Sequence, residues 1–261
     1  TLNGSQRAIS KSMEQLASGS RINKAADDAA GLAISEGLKS QVRSLGQAQR
    51  NANDGISMVQ TAEGGLNEIS NILTRMRELG VQASSDTIGD TERGMLNKEV
   101  QQLKAESQRI TQTTKFGTTK LIDGSGDKFD FQVGIGNDSE ADRISFNAGE
   151  TNASIDSLGI SGFDFSSKSG AQDSLATIDE AQTKVNGFRA GLGALQNRLT
   201  STVDNLGVQN ENISAANSRI RDTDIAAATS EQARNSVLLQ SNTSVLAQAN
   251  SMPQAALKLI G

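Results

Sequence analysis

Residues 175–227 read LATIDEAQTKVNGFRAGLGALQNRLTSTVDNLGVQNENISAANSRIRDTDIAA, and an apolar residue returns at every seventh position of this stretch. The series is Ile178, Val185, Leu192, Leu199, Leu206, Ile213, Ile220 and Ala227, with Leu175, Ala181, Phe188, Leu195 and Ala216 at the second position of the same seam. Seven residues fall short of two undistorted helical turns, so a seam kept this long predicts left-handed supercoiling against a partner helix. Such a helix cannot bury its stripe alone.

A second ladder supplies the partner. From about residue 33 to residue 81 the same spacing carries Leu38, Leu45, Ala52, Val59, Leu66 and Leu73, with Ala48, Ala62, Ile69 and Met76 at the second position. Gln41 and Gly55 interrupt it. A helix of about 45 residues would be roughly 68 Å long at the usual rise, far beyond an average globular helix. The expected fold is therefore mainly α: a long antiparallel, coiled-coil-like helical rod with a small β-hairpin region. The chain termini would pair as a second helical layer at the end away from the hairpins.

The remaining segments fit around this pair. Leu2, Ile9, Met13 and Leu16 sit at helical spacing, and Gly19 offers a stop. The Ala-rich, four-charge stretch that follows, through Gly31, reads as a connector, with Asp27 and Asp28 placed to favour the next helix start. A turn at 84–90 leads to a shorter helix marked by Leu96, Val100, Leu103 and Ile110. Between 115 and 165 the period changes to two, as in Phe129, Phe131 and Val133, or Ile144 and Phe146, with Gly-rich breaks between runs. Ser169 to Gln172 offers a capping box for the long heptad helix. After Arg221 a further amphipathic pattern carries Val237, Leu238, Val245, Leu246, Ala249, Leu257 and Ile260, and Pro253 should kink or end it.

Composition narrows function. The 261 residues are 35% hydrophobic and 21% charged, which suits a folding chain, but aromatics are only 3%, so thin helical cores fit better than a broad globular one. There is no His and no Cys. The usual general base, the commonest zinc ligands, thiol nucleophiles and disulfides are thus all missing. A formal charge of −5 argues against a phosphate-backbone partner. No run approaches the ~20 apolar residues of a membrane span, and no signal-peptide pattern opens the sequence. Neither cofactor, nucleic acid nor membrane insertion is expected.

Motifs that suggest chemistry have plainer readings. Gly134-Ile135-Gly136 lacks the third glycine and the helix of a phosphate loop, and reads as a turn between strands. Asp123-Gly124-Ser125-Gly126-Asp127 begins like a calcium loop, but Lys128 and Gly134 stand where Gly and Glu are needed. Asp27-Asp28 lacks the surroundings of an acid–base pair. Arg75, Arg77 and Glu78 read equally as a solvated face with local ion pairs or as a contact to another subunit. For the terminal stripes, intermolecular assembly is favoured over an internal hairpin, because each end is narrow, aromatic-free and outside the long pair.

Leu16-Ala17-Ser18-Gly19-Ser20-Arg21-Ile22-Asn23 and Ala26-Asp27-Asp28-Ala29-Ala30-Gly31-Leu32-Ala33 resemble the N-terminal signature of bacterial flagellin. Arg50-Asn51-Ala52-Asn53-Asp54-Gly55-Ile56-Ser57 and Gln60-Thr61-Ala62-Glu63-Gly64-Gly65-Leu66 extend the resemblance. Ser218-Arg219-Ile220-Arg221-Asp222-Thr223-Asp224 and Leu246-Ala247-Gln248-Ala249-Asn250 continue it near the other end. The matches are collinear and cover nearly the whole chain. They imply a non-enzymatic subunit that polymerises into the filament used for swimming, extracellular, and exported by the flagellar secretion apparatus without a cleaved signal peptide.

The resemblance assigns residues 1–18 and 221–261 to an inner terminal helical domain and 19–31 to a connector. Residues 32–165 and 171–220 become the helical rod with its hairpins, and 166–170 a short loop where other members carry variable outer domains. Compared with the family, the sequence is expected to start about fifteen residues inside the usual N-terminus. Self-assembly would fall to Leu2, Ile9, Met13, Leu16, Val237, Leu238, Val245, Leu246, Leu257 and Ile260. Some members bind Toll-like receptor five through an arginine, a leucine and a glutamate, which match Arg75, Leu79 and Glu99. Implied partners are further copies of the chain, an export chaperone, the filament cap and hook-filament junction proteins. The alternative readings are a junction or cap-like axial protein, or a coiled-coil adaptor that does not polymerise.

Overall fold

The computed structural model describes residues 2–260, with side chains described for residues 3–250. Helix α1 (Leu2–Ser18) and helix α2 (Ala29–Ala83) are followed by α3 (Asp90–Thr113). Then come strands β1 (Lys115–Phe116), β2 (Thr119–Lys120), β3 (Lys128–Gln132) and β4 (Arg143–Asn147), and a single turn, α4 (Ile155–Leu158). Helices α5 (Lys168–Arg221) and α6 (Ile225–Ile260) complete the chain. The chain divides into two compact units, Ser44–Val208 and the described parts of Thr1–Arg43 with Gln209–Gly261, so α2 and α5 each contribute to both.

Within Ser44–Val208, α2 and α5 run antiparallel, since partners on α5 recede as α2 advances. Ser70 accepts a hydrogen bond from Gln182 at 2.7 Å, Arg77 pairs with Asp179 at 2.7 Å, and Gly80 lies against Leu175. The expected seam is the observed core. Leu45, Ala52, Val59, Leu66 and Leu73 of α2 and Ile178, Val185, Leu192 and Leu199 of α5 are all buried. Burying a Leu, Ile or Val side chain fully is worth about 1.5–3 kcal/mol, so repetition along the seam outweighs the weak propensity of a Gly-, Ser- and Asn-containing helix. The interruption at Gly55 has a steric cause: the Phe131 ring lies on the helix there, and a Cβ would meet it at 3.1 Å.

Helix α3 folds back on this pair, burying Val100, with Leu96, Leu103 and Ile110 packed against the core. Two antiparallel hairpins follow. In the larger, Phe129 faces Phe146 and Phe131 faces Ile144, so the period of two puts one apolar face on the helices. The Phe129 and Phe146 rings stack at 6.3 Å. Gly134 and Gly136 lie in the connection between β3 and β4, where Asp142 accepts from the Asp138 amide at 3.0 Å. Asp123 closes a local turn, accepting from the Ser125 amide and hydroxyl at 3.0 and 2.7 Å.

Three expectations need correction. The cap of α5 is Ser167, whose hydroxyl accepts from the Gly170 amide at 3.2 Å, and Ser169 already lies inside the helix. The seven-residue ladder does not run through to Ala227 in one helix. Asp224 caps a new helix by accepting from the Ala226 and Ala227 amides at 2.9 and 3.1 Å, so α5 stops at Arg221. Pro253 does not end α6, which continues to Ile260. A proline lacks one backbone donor, and the bonds on either side can carry the helix across that gap.

Candidate assembly site

The second unit brings the two chain ends together. Gly19 takes φ +68, a left-handed conformation that glycine adopts without steric cost, and turns the chain out of α1. The Arg21 amide donates to the Arg221 carbonyl at 2.6 Å, the Thr223 amide donates to the Gly19 carbonyl at 3.0 Å, and Ser20 bridges Asp222. Arg21 also donates through its guanidinium to the Ile220 carbonyl at 2.8 Å. Arg221 pairs with Glu36 on α2. These bonds place the start of α6 beside the end of α1, and the two helices pack antiparallel.

Of the two connector carboxylates, only Asp28 serves the next helix. Its side chain accepts from the Gly31 amide at 2.8 Å and caps α2. Asp27 turns back instead, accepting from the Lys24 amide at 3.2 Å and pairing with Lys11 of α1 at 2.9 Å. The Lys11 ammonium bonded to it, together with that backbone donor, holds the Asp27 carboxyl below the usual carboxylate range.

What α1 and α6 cover in each other mixes small and polar residues with a few large apolar ones. The covered positions of α6 are Ala228, Gln232, Asn235, Leu239 and Asn242, which alternate by four and three as one helical seam. Those of α1 include Ser5, Ala8, Ile9, Ser12 and Leu16. Leu239 apart, large apolar side chains of α6 are open: Val237 is 66% exposed, Leu238 46%, Val245 64% and Leu246 51%, and on α1 Met13 is 51% exposed. Isolated exposed apolar residues are ordinary, but a helix that covers Gln232 and Asn235 while Val237 and Leu238 stay open at the same level has apolar surface left for another partner.

The residues expected to mediate assembly therefore fall into three groups. Met13, Val237, Leu238, Val245 and Leu246 are open, and Ile9 and Leu16 are half-buried in the pair. The side chains of Leu2, Leu257 and Ile260 lie outside those described. Seeking apolar periodicity alone passes over Gln232, Asn235 and Asn242, and only their four-and-three spacing marks them as a seam.

The other proposed contact divides. Arg75 is exposed on α2 and bonds Glu78 and Glu99 at 2.9 Å each, and Arg77 is paired with Asp179, as expected of a solvated face with local ion pairs. Leu79, between them in sequence, is 1% exposed and packed in the core. A ligand docking on this face therefore meets Arg75 and Glu99 but not the Leu79 side chain. Sequence reading also missed Arg93. Its buried guanidinium donates to the Ala83 and Ser85 carbonyls at 2.8 Å each and pairs with Asp90 at 2.8 Å, closing the end of α2.

Among the described residues no group of carboxylates is placed to hold a metal, and no helix is long and apolar enough to cross a membrane. Long paired helices, small hairpins and paired terminal helices with uncovered apolar side chains define a structural protein. Residues 1–127 match the bacterial flagellin N-terminal helical region, and residues 175–260 match the bacterial flagellin C-terminal helical region. The chain is 46% identical over 250 residues to a flagellin of Halalkalibacterium halodurans, covering 96% of this chain and 91% of that one. It is 40% identical over 294 residues to a flagellin of Bacillus subtilis, covering 99% and 95%. The crystal structure of Bacillus cereus flagellin is similar with a TM-score of 0.54 at 31% identity, over 64% of this chain and 94% of that one. The chain belongs to the bacterial flagellin family. It is a non-enzymatic subunit of the extracellular flagellar filament, and it assembles with copies of itself.

Proposed function

We propose that the terminal helices drive polymerisation by burying, between copies, the apolar row that their own pairing leaves open. The observation that carries this reading is the burial of α6 where it lies beside α1, with Gln232 and Asn235 partly covered and Val237 and Leu238 open. Residues 1–18 and 221–261 form the inner helical layer of the filament in this reading, 19–31 the connector, and 32–165 with 171–220 the layer outside it. Residues 166–170 form a short loop between the last two segments. The terminal segments complete their ordering in the polymer, where repeated contacts offset the entropy of fixing them.

The same open face suits an export chaperone that covers it before assembly, and the filament cap and hook-filament junction proteins that meet it at the two filament ends. A receptor contact through Arg75 and Glu99 would compete with the Arg75–Glu99 ion pair already present. The test is removal of residues 225–261. Circular dichroism should retain a cooperative helical transition from the α2–α5 pair, while electron microscopy after seeding shows no filaments. Polymerisation of the shortened chain refutes the mechanism. Short, non-extending oligomers of the intact chain favour the axial junction or cap reading instead.

A further inference from the structure

The unit Ser44–Val208 carries its own candidate contact between copies, separate from the terminal helices. A groove of about 350 Å³ opens between β4 and α5. Phe146, Phe188, Leu192 and Leu195 line it, and it is open because Gly187 and Gly191, one turn apart, have nothing within 4 Å of where a Cβ would stand. Glu150 is the single charged residue among those lining it. Two nearby lysines are already engaged: Lys128, which faces Asn147 across the ladder, pairs with Asp130, and Lys184 donates to the Ser157 carbonyl.

Five large apolar side chains of this unit are exposed: Val81, Met95, Phe116, Ile135 and Val208. Their electrostatic settings differ. Met95 has Glu92 one turn before it and Lys98 and Glu99 one turn after, Glu99 being paired with Arg75; Val208 has Asp204 and Glu211, and Ile135 precedes Asp138, Glu140 and Asp142 in its loop. Val81 follows Arg77, which is committed to Asp179, and Glu78. Phe116 alone stands between cations. It projects from the β1–β2 hairpin, where Lys115 and Lys120 face each other directly across the ladder. Lys120 is paired with Asp123, whereas Lys115 has no ion-pair partner among the described residues. Like charges placed opposite each other disfavour a hairpin that is only two residues deep, and a neighbouring carboxylate would relieve them.

We propose that Phe116 of one copy seats in the β4–α5 groove of a second copy, with Lys115 beside Glu150. The occupant is a second copy because the chain forms a homopolymer, in which every subunit presents both the knob and the groove. The two features lie on different elements. The root of the hairpin, Thr114, lies against Gly65 of α2, and the α2–α5 register brings Gly65 level with the segment around Phe188. Knob and groove therefore occupy the same level of one subunit on different surface elements. A contact of this kind is heterologous and need not close into a dimer, so it can propagate. It rests on the filament reading and adds a site to it.

The absence of cysteine permits a direct test. F116C and G191C chains, prepared separately, are mixed, polymerised from seeds, and oxidised. A covalent dimer that forms in the mixed filaments, and in neither single-variant filament, is the expected result. In parallel, K115E and E150K should each raise the critical monomer concentration about threefold, the scale of an exposed ion pair, and K115E/E150K should restore it. Filaments without the mixed dimer, or a double variant no better than the singles, overturn the contact and leave the filament reading intact. Failure of the unsubstituted chain to polymerise overturns both.

Discussion

Replacing Leu238 and Leu246 with serine removes half of the open row on α6 while leaving every covered residue of the α1–α6 pair in place. The two leucines are 46% and 51% exposed in the single chain. Complete burial of a leucine is worth about 1.5–3 kcal/mol, so covering the remaining half of each contributes about 1 kcal/mol per side chain. Losing both weakens each subunit addition by about 2 kcal/mol, which corresponds to a critical concentration raised roughly 30-fold. Monomer stability should hardly change, because exposed substitutions outside packed seams stay within about 0.5 kcal/mol. The assay is sedimentation of seeded L238S/L246S polymer over a range of total concentrations, beside thermal unfolding of the monomer. A critical concentration within about twofold of the parent chain would show that this row is not buried on assembly. A monomer destabilised in proportion would place the leucines in an internal seam instead.

Other expectations follow from single contacts. R93A removes the guanidinium that holds two carbonyls at the end of α2, and should destabilise the protein by about 3 kcal/mol in urea unfolding. R93K, which keeps charge without the fork, should lose less. D224A deletes the cap of α6 and should cost about 1 kcal/mol of helix stability, read as faster amide exchange in its first turn. The Arg77 guanidinium hydrogen-bonded to Asp179 holds that carboxyl below its ordinary range. A carboxylate with a depressed folded-state pKa adds stability above its unfolded pKa and loses it as pH falls through the folded one. D179N should therefore lower stability near neutral pH and flatten its decline at pH below the ordinary aspartate range, as followed by thermal unfolding across a pH series.

The paired helices were legible because burial on a supercoiled seam imposes a spacing of seven, and Leu45, Val59, Leu73, Val185 and Leu199 obey it. The hairpins were legible for the same reason at a period of two, with Phe129 and Phe131 falling opposite Phe146 and Ile144. Where spacing misled, a local polar bond had overridden it. Asp224 ends the ladder by capping a new helix although Ala227 keeps the period, and Ser167 takes the cap that Ser169 seemed placed to supply. Arg93 left no periodic trace, because its role depends on carbonyls ten and eight positions away that only the turn brings near. Leu79 matched a surface contact by resemblance, but the helix rotates it into the core. The pairing of α1 with α6 was legible, but not the part of its seam built from Ser12, Gln232, Asn235 and Asn242, which a search for hydrophobic stripes discards.

The antiparallel α2–α5 seam also sets the order in which this chain can become compact. Ser70 meets Gln182 across 112 positions, and Arg77 meets Asp179 across 102. The seam between the two long stripes cannot close until both are present, and contacts this distant in sequence are slow to form. A chain that emerges from a cell one end first therefore cannot complete this core until its second long segment is free. For a subunit that works outside the cell, topology thus ties the finished core to the arrival of both long segments.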